Sequence, residues 1–421
     1  MTAASLAAVT RDSEAIWYNP AGLGGNQLSR LNLSGNVFMV RFQKIGDGME
    51  AELPSGDRST GINTNEFLAV PAAMTFVQKA TDSVSWGFGV YVPQYADITF
   101  DSSIESTENF PGIAEPVAYR QGFTFDMLDM EYQIGGAVGW QARPDFRVGA
   151  GLFFLYDRAR QTRSLFESME SADGSGTTSL FYLDSFRVLL RTIGVRATGG
   201  MQWDVTPEWR LGLLLESPTI QVYSWGNATY ASSFSETNAA GRQVQSADRT
   251  YASISQFDGK MVEPFHAQLS FAYVKPKFWI GLAGDIYTPL KEPSLYIDKK
   301  LSWNVSVGAK FKATDRIDMG VGIFTDRSDQ GDPEEFGDAK IDYYGATAGA
   351  QFLTPIERGG GKEPPVVFRT ALALRYALGI GDAGGLLFDP ATQGNISRAT
   401  AKSVGVRFHE LSVYLGAALF F

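Results

Sequence analysis

The chain has no cysteine and only two histidines, His266 and His409, among its 421 residues. Disulfides and thiolate metal sites are therefore excluded, and so are histidine-rich ones. Although 44% of the chain is hydrophobic, no run of 18 apolar residues occurs. A bilayer-crossing helix needs about 20 such residues, so the sequence argues against a helical membrane protein. Basic residues are in the minority, 36 Lys and Arg against 46 Asp and Glu, for a net charge of -10. Nothing here would neutralise the phosphates of a nucleic acid. The opening Met1-Thr-Ala-Ala-Ser-Leu-Ala7 has neither the basic region nor the apolar core of a secretion signal. For an envelope protein this implies numbering that begins on a mature or trimmed chain.

What the chain does have is aromatic residues and glycine: Tyr 17, Phe 29, Trp 8 and Gly 45. Both suit a barrel with aromatic girdles and closely packed strands. The last eleven residues, Leu411-Ser-Val-Tyr-Leu-Gly-Ala-Ala-Leu-Phe-Phe421, alternate between two faces. Leu411, Val413, Leu415, Ala417, Leu419 and Phe421 form an oily side; Ser412, Tyr414, Gly416, Ala418 and Phe420 form a mixed one. The length matches a tilted membrane strand of roughly 9–11 residues. The last strand of a soluble sandwich is the alternative for this segment alone.

A turn-then-strand unit recurs at Arg143–Gly149, Val205–Gly212, Val274–Gly281 and Ala313–Gly320. Each has a few turn-forming residues, an aromatic or aliphatic residue, and an alternating strand that contains glycine. Longer polar stretches, about 44–65, 98–124, 166–179, 230–260, 290–300, 329–339 and 381–399, separate these units and read as loops. Short turns on one rim and long loops on the other are the pattern of an outer-membrane barrel. The strands fall at about 28–43, 66–79, 84–97, 126–142, 146–165, 180–204, 209–229, 261–274, 277–289, 301–312, 316–328, 340–353, 366–380 and 400–421. The fold expected is all-β: a 14-stranded antiparallel transmembrane β-barrel.

Face by face, Ile317, Met319, Val321 and Ile323 oppose Asp318, Gly320 and Gly322, and Trp303, Val305, Val307, Ala309 and Phe311 oppose Asn304, Ser306, Gly308, Lys310 and Lys312. Charge on a lipid face costs roughly 2–4 kcal/mol at mid-depth, so the charged faces point inward. Residues 1–27 break the pattern. Thr2 to Ile16 is alanine-rich and predicts a short helix, stopped by Asn19-Pro20-Ala21-Gly22. The expected organisation is a plug over 1–27 inside a barrel over 28–421.

The stretch Asp12-Ser-Glu-Ala-Ile-Trp-Tyr-Asn-Pro-Ala-Gly-Leu23 resembles the amino-terminal hatch of the FadL-type long-chain fatty acid transporters. The matching positions are Asn19, Pro20, Ala21 and Leu23. Trp86-Gly-Phe-Gly-Val-Tyr-Val-Pro93 is similar to that family's third strand, with Gly89 and Pro93 at its lateral opening. Gln94 and Tyr95 depart from the family pattern, and the polar 226–259 stretch lacks an apolar capture groove. The resemblance implies a bacterial outer-membrane channel that takes a hydrophobic small molecule into a lumenal pocket and releases it sideways into the membrane. It implies surrounding outer-membrane lipid and lipopolysaccharide, no cofactor, no metal and no catalysis.

Arg147, Arg196, Lys310, Lys312, Arg369 and Arg375 are assigned inward, as are Asp157, Glu216, Asp285 and Asp318. Arg196 and Lys310 lie away from the turns and are the expected clamps for a ligand carboxylate; bracing of the plug is the alternative. Phe153, Leu214, Trp279 and Tyr287 are expected to line the pocket or to pack against the plug. His266 has no assignable serine or acid partner, which speaks against a hydrolase. A structural or docking barrel that anchors a secretion, motility or surface complex is the second functional reading, motivated by the polar, serine-rich stretch 226–259.

Overall fold

The computed structural model describes residues 7–11, 13–25, 30–111, 113–173, 179–237, 243–257, 259–293, 297–334, 338–356, 366–388 and 400–420. Thr2–Leu6 of the expected helix, Asp12 of the motif, the start of the first expected strand and Phe421 lie outside the described residues. Among the described residues no helix is long and apolar enough to cross a membrane, which says nothing of crossing by strands.

The chain begins with one helical turn, α1 (Ala15–Tyr18), and a 3-10 turn over Pro20–Leu23. Six long strands follow: β1 (Arg30–Ala51), β2 (Arg58–Lys79), β3 (Val84–Glu108), β4 (Val117–Arg143), β5 (Phe146–Ser171) and β6 (Ser179–Asp204). Next come β7 (Trp209–Glu216), β8 (Thr219–Thr237), β9 (Gln243–Gln256), β10 (Met261–Glu263), β11 (His266–Lys275) and β12 (Phe278–Tyr287). After the small hairpin β13 (Leu290–Glu292) and β14 (Ile297–Lys299) come β15 (Ser302–Lys312), β16 (Ile317–Asp326), β17 (Ala339–Ile356), β18 (Val366–Phe388) and β19 (Thr400–Phe420).

Pairing is antiparallel almost throughout. β1 through β6 pair in sequence. β6 then meets β7 and β8 in turn along its length. From β7 the ladder passes to β11, β12, β15, β16, β17, β18 and β19. β19 in turn pairs with β1 from Arg30↔Phe420 to Ile45↔Val406. Among the described residues the one parallel contact joins the far ends of β1 and β18, Met49↔Leu386 to Ala51↔Phe388.

Period-2 alternation sorts the side chains as the sequence predicts. Met319, Val321 and Ile323 are exposed on one face, as are Leu372, Leu374 and Tyr376, whereas Ala373 and Ala377 are buried on the other. The amino-terminal segment packs on that second, inner face. On β19, Leu411 and Leu415 point out, while Ser412 and Phe420 are buried. Phe420 sits under the guanidinium of Arg369, 4.5 Å from its ring centre. Lys312, expected inward, is instead exposed at the turn and pairs with Asp315 at 2.9 Å.

Three expectations need correction. Several of the polar stretches read as long loops are largely strand: β1, β3 and β5 run well past 43, 97 and 165, and most of 230–260 forms the hairpin of β8 and β9. On β3 the exposed Asp101, Ser103 and Glu105 alternate with Phe100 and Ile104, which are buried in an apolar cluster, so one face is solvated and the other packed. The expected strand 209–229 is broken at Ser217-Pro218, where proline cannot donate to the ladder. Among the described residues the helical turn is Ala15–Tyr18 and Ala7–Arg11 is not helical; the turn stops where Asn19 is already extended (φ -170°) ahead of Pro20.

Two apolar clusters lie on the inner side. Ala15, Ile16 and Leu23 pack with Val77, Tyr91, Ala137, Phe153 and Leu155. Farther along the strands, Met49, Phe100, Ile104, Val117, Tyr119, Phe123, Phe125 and Leu386 form a second cluster. On β4 the first ends at Ala137 and the second begins near Met127, and a cavity occupies the level between.

Candidate functional site

The amino-terminal segment is seated by polar bonds to the wall. The Asn19 amide donates to the carbonyls of Ala7 (2.8 Å) and Met201 (3.1 Å), and its side-chain oxygen accepts from the Ala21 N–H (3.1 Å). The Gln202 amide donates to the carbonyls of Ala7 and Thr10, both at 2.7 Å. Ala7 and Ala8 donate their N–H groups to Gln268 Oε1 and Ser270 Oγ. Asp204 gathers Arg11 (2.9 Å), Arg147 (3.2 Å) and Arg210 (3.3 Å) at one rim.

Glycine makes this seat possible. Gly139, Gly149 and Gly200 stand opposite one another across β4, β5 and β6. A Cβ on any of them would run into Asn19, Pro20, Ala21, Leu23 or Gly24. Gly212 leaves the same room for Ala7 and Ala8. Gly149 and Gly212 are the glycines that close two of the recurring turn-then-strand units.

Above the seat lies a cavity of about 260 Å³. Its floor is Trp17 and Tyr18; Pro93, Glu131, Gln133, Arg196, Leu214, Glu216, Glu263, His266, Gln268, Asp285 and Tyr287 line the rest. Arg196 is held rather than free: it donates to Gln133 (2.7 Å) and to Glu263 (3.2 Å), and lies over the Trp17 ring at 5.5 Å. Gln133 also donates to Glu131. His266, expected without an acid partner, has two from neighbouring strands: Glu216 on Nδ1 (2.6 Å) and Asp285 on Nε2 (2.9 Å); its ring stacks on Tyr287 at 4.3 Å. With carboxylates on both nitrogens, neither is left to take a proton from a nucleophile.

The wall is broken beside this cavity. The ladder between β2 and β3 runs from Lys79↔Ser85 to Ala73↔Tyr91 and ends there, although both strands continue. On the other side β3 pairs with β4 through a register shift between Tyr91 and Gln94, which leaves Val92 and Pro93 in a bulge. Proline has no N–H to offer a neighbour, so Pro93 itself cannot donate to either ladder. Pro93 is both exposed and part of the cavity lining. Gly89 lies below the break, still paired with Thr75 and Gly135, and leaves room for the Tyr91 ring.

The structure thus brings Arg196, Leu214, Tyr287 and Pro93 together around one cavity, and separates them from three other expected ligand contacts. Lys310 pairs with Asp318 at 3.1 Å, Trp279 packs with Val9 and Ala283, and Phe153 is buried 5.6 Å from Trp17. Asn19, Pro20, Ala21 and Leu23 are all buried in the seat. Sequence reasoning missed Trp17, Tyr18, Glu131, Gln133 and Glu263 as cavity residues. The alternation Asp129-Met-Glu131-Tyr-Gln133-Ile already carried the β4 pair.

No family model matches this chain, and no curated protein does. Among solved structures, the P. putida toluene transporter TodX aligns with TM-score 0.56 at 14% identity, over 97% of this chain and 94% of that one. The fold is FadL-like. A FadL homologue from Pseudomonas aeruginosa matches with TM-score 0.54 at 13% identity, over 98% of this chain and 95% of its own. The CymD monoaromatic hydrocarbon channel matches with TM-score 0.53 at 12% identity, over 99% and 94%. The FadL-like fold extends over nearly the whole chain.

Proposed function

We propose that this chain is a bacterial outer-membrane channel through which small hydrophobic molecules enter the cavity above the hatch and leave sideways between β2 and β3. The observation that carries the reading is the ladder's end at Ala73↔Tyr91 beside Pro93, a cavity residue. The circuit of pairings that returns from β19 to β1 reads as a closed fourteen-strand barrel, with residues 1–27 as hatch and 28–421 as wall. Its exposed apolar band supports a lipid setting. Trp303 and Phe311 are exposed eight residues apart on β15, on the order of 20 Å of height at the usual tilt, close to the thickness of a barrel's apolar belt.

Cavity size and charge narrow the cargo. An engineered cavity of about 150 Å³ takes one benzene, so about 260 Å³ suits a small ring better than a long acyl chain. Trp17, Tyr18 and Tyr287 offer ring faces. A carboxylate would meet Glu131, Glu216, Glu263 and Asp285, and the guanidinium of Arg196 is already engaged. A neutral aromatic molecule is therefore favoured over a fatty acid. No cofactor, metal or catalytic step enters this reading. The test is uptake of labelled toluene and labelled oleate by proteoliposomes holding the inserted barrel. Toluene entry several-fold above empty liposomes, with little gain for oleate, is expected; no gain for either would sink the channel reading.

A docking role is the second reading, favoured by β9, whose strand partners among the described residues lie on β8 alone. Such an edge can accept a further strand from a partner protein. Stoichiometric capture of one envelope protein, lost when β8 and β9 are shortened, would support it.

A further inference from the structure

Strand parity separates two faces of β5 and β6. Phe153, Leu155 and Arg196 point inward, so Phe154, Tyr156, Arg158 and Arg160 on β5, and Arg187, Arg191 and Ile193 on β6, point outward. Phe154 is 56% exposed, as a residue of the apolar band should be. One step up, Tyr132, Tyr156, Trp225, Tyr223 and Phe257 form a continuous aromatic run with ring separations of 6.4, 6.2, 5.4 and 4.4 Å. Tyr156 lies ten residues above Phe146 at the short-turn rim, roughly 25 Å of height at the usual strand tilt. The run marks the upper membrane interface.

Four arginines stand immediately beyond it. Arg158 and Arg191 are direct cross-strand partners, and Arg191 in turn faces Trp225. Arg160 is two residues on, and Arg187 is opposite Thr162. Like charges directly opposite each other are unfavourable in a sheet. Of the four, Arg160 alone has a carboxylate in ion-pair contact among the described residues, Asp126 at 2.9 Å. One acid among four guanidinium groups leaves the row with excess positive charge at the depth of lipid headgroups. Planar guanidinium forks match phosphate oxygens in pairs.

We infer that this outward row binds the phosphorylated headgroup of a glycolipid in the surrounding outer leaflet, its acyl chains lying against the aromatic run and the apolar band below. The inference rests on the membrane-barrel reading above. The phosphate would remove the repulsion between Arg158 and Arg191, and the aromatic run would fix its depth.

The test uses the full chain in nanodiscs, with lipid A carrying both phosphates, dephosphorylated lipid A and phosphatidylcholine as probes, and lipid exchange read by native mass spectrometry. Retention of phosphorylated lipid A at least tenfold above the other two is expected, with that preference lost in Arg158→Gln/Arg191→Gln. Equal retention of all three lipids, or an unchanged preference in the double variant, would overturn the inference. Displacement by millimolar inorganic phosphate alone would also overturn it, since the site would then serve a free anion. Failure of the wild-type chain to insert at all would instead overturn the barrel reading. If the double variant does not fold, Arg187→Gln at the exposed edge of the row should still lower the preference by several-fold.

Discussion

Gly200 leaves open the space that the side-chain oxygen of Asn19 fills: a Cβ at Gly200 would collide with it. The neighbouring Gly199 faces open space on the other side of the strand. Neither has a backbone conformation reserved for glycine, so both tolerate alanine as far as the strand is concerned. Gly200→Ala should unseat the hatch at a cost of about 1–3 kcal/mol of overpacking. Hydrogen exchange over residues 15–23 should quicken while the strand signal in circular dichroism stays unchanged. Gly199→Ala should do neither; equal effects from the two would mean that the seat is not what Gly200 supplies.

The strands and their faces were legible because period-2 alternation is a local property: Val321 and Ile323 against Gly320 and Gly322 needs no knowledge of neighbours. The reach of the strands was not. Polar stretches such as 98–108 look like loops until a partner such as β4 is in place to accept their hydrogen bonds. At the cavity, Arg196, Leu214 and Tyr287 were predicted from face alone. Lys310 belonged to the same face but to another level, where Asp318 takes its charge. Height depends on stagger between strands, and stagger is set by pairings as distant as Arg30↔Phe420. For the same reason Glu263 could not be placed beside Arg196, 67 residues away.

Arg196, on β6, bonds to Gln133 on β4 and to Glu263 on β10, and its removal has a defined consequence. Arg196→Met leaves Glu131 and Glu263 facing one another without a cation, and breaking such a partly buried pair costs about 3–5 kcal/mol. The barrel should lose its heat-modifiable, compact gel band at a lower temperature than the wild type. Adding Glu263→Gln removes one of the uncompensated charges, so the double variant should recover most of the loss. A double variant as labile as the single one would show that Arg196 acts through its contact with Trp17.

Glu167 makes the far cluster sensitive to pH. It is 2% exposed beyond the apolar band, and burial pushes its carboxyl up from 4.5 to about 7, against a smaller opposing effect from Tyr119. A raised folded-state value means that the folded form holds the proton more tightly. The resulting stability is full below about 4.5 and is lost as pH rises toward about 7. Thermal melting should therefore fall across that window, and the fall should be smaller in Glu167→Gln. Parallel profiles for the two proteins would place the titrating group elsewhere.

On the proposed route, sideways exit turns on Pro93. Pro93→Ala restores a backbone N–H in the bulge after Tyr91, so β3 gains the donor it needs to pair onward with β2. Closure of the ladder would leave the cavity and its Arg196–Glu263 pair intact, because neither depends on that N–H. Toluene should still bind the purified variant, measured by its protection of Trp17 fluorescence, while uptake into proteoliposomes drops by several-fold. Loss of binding and uptake together would mean that Pro93 shapes the cavity only. Undiminished uptake with normal binding would place the exit at another point of the wall.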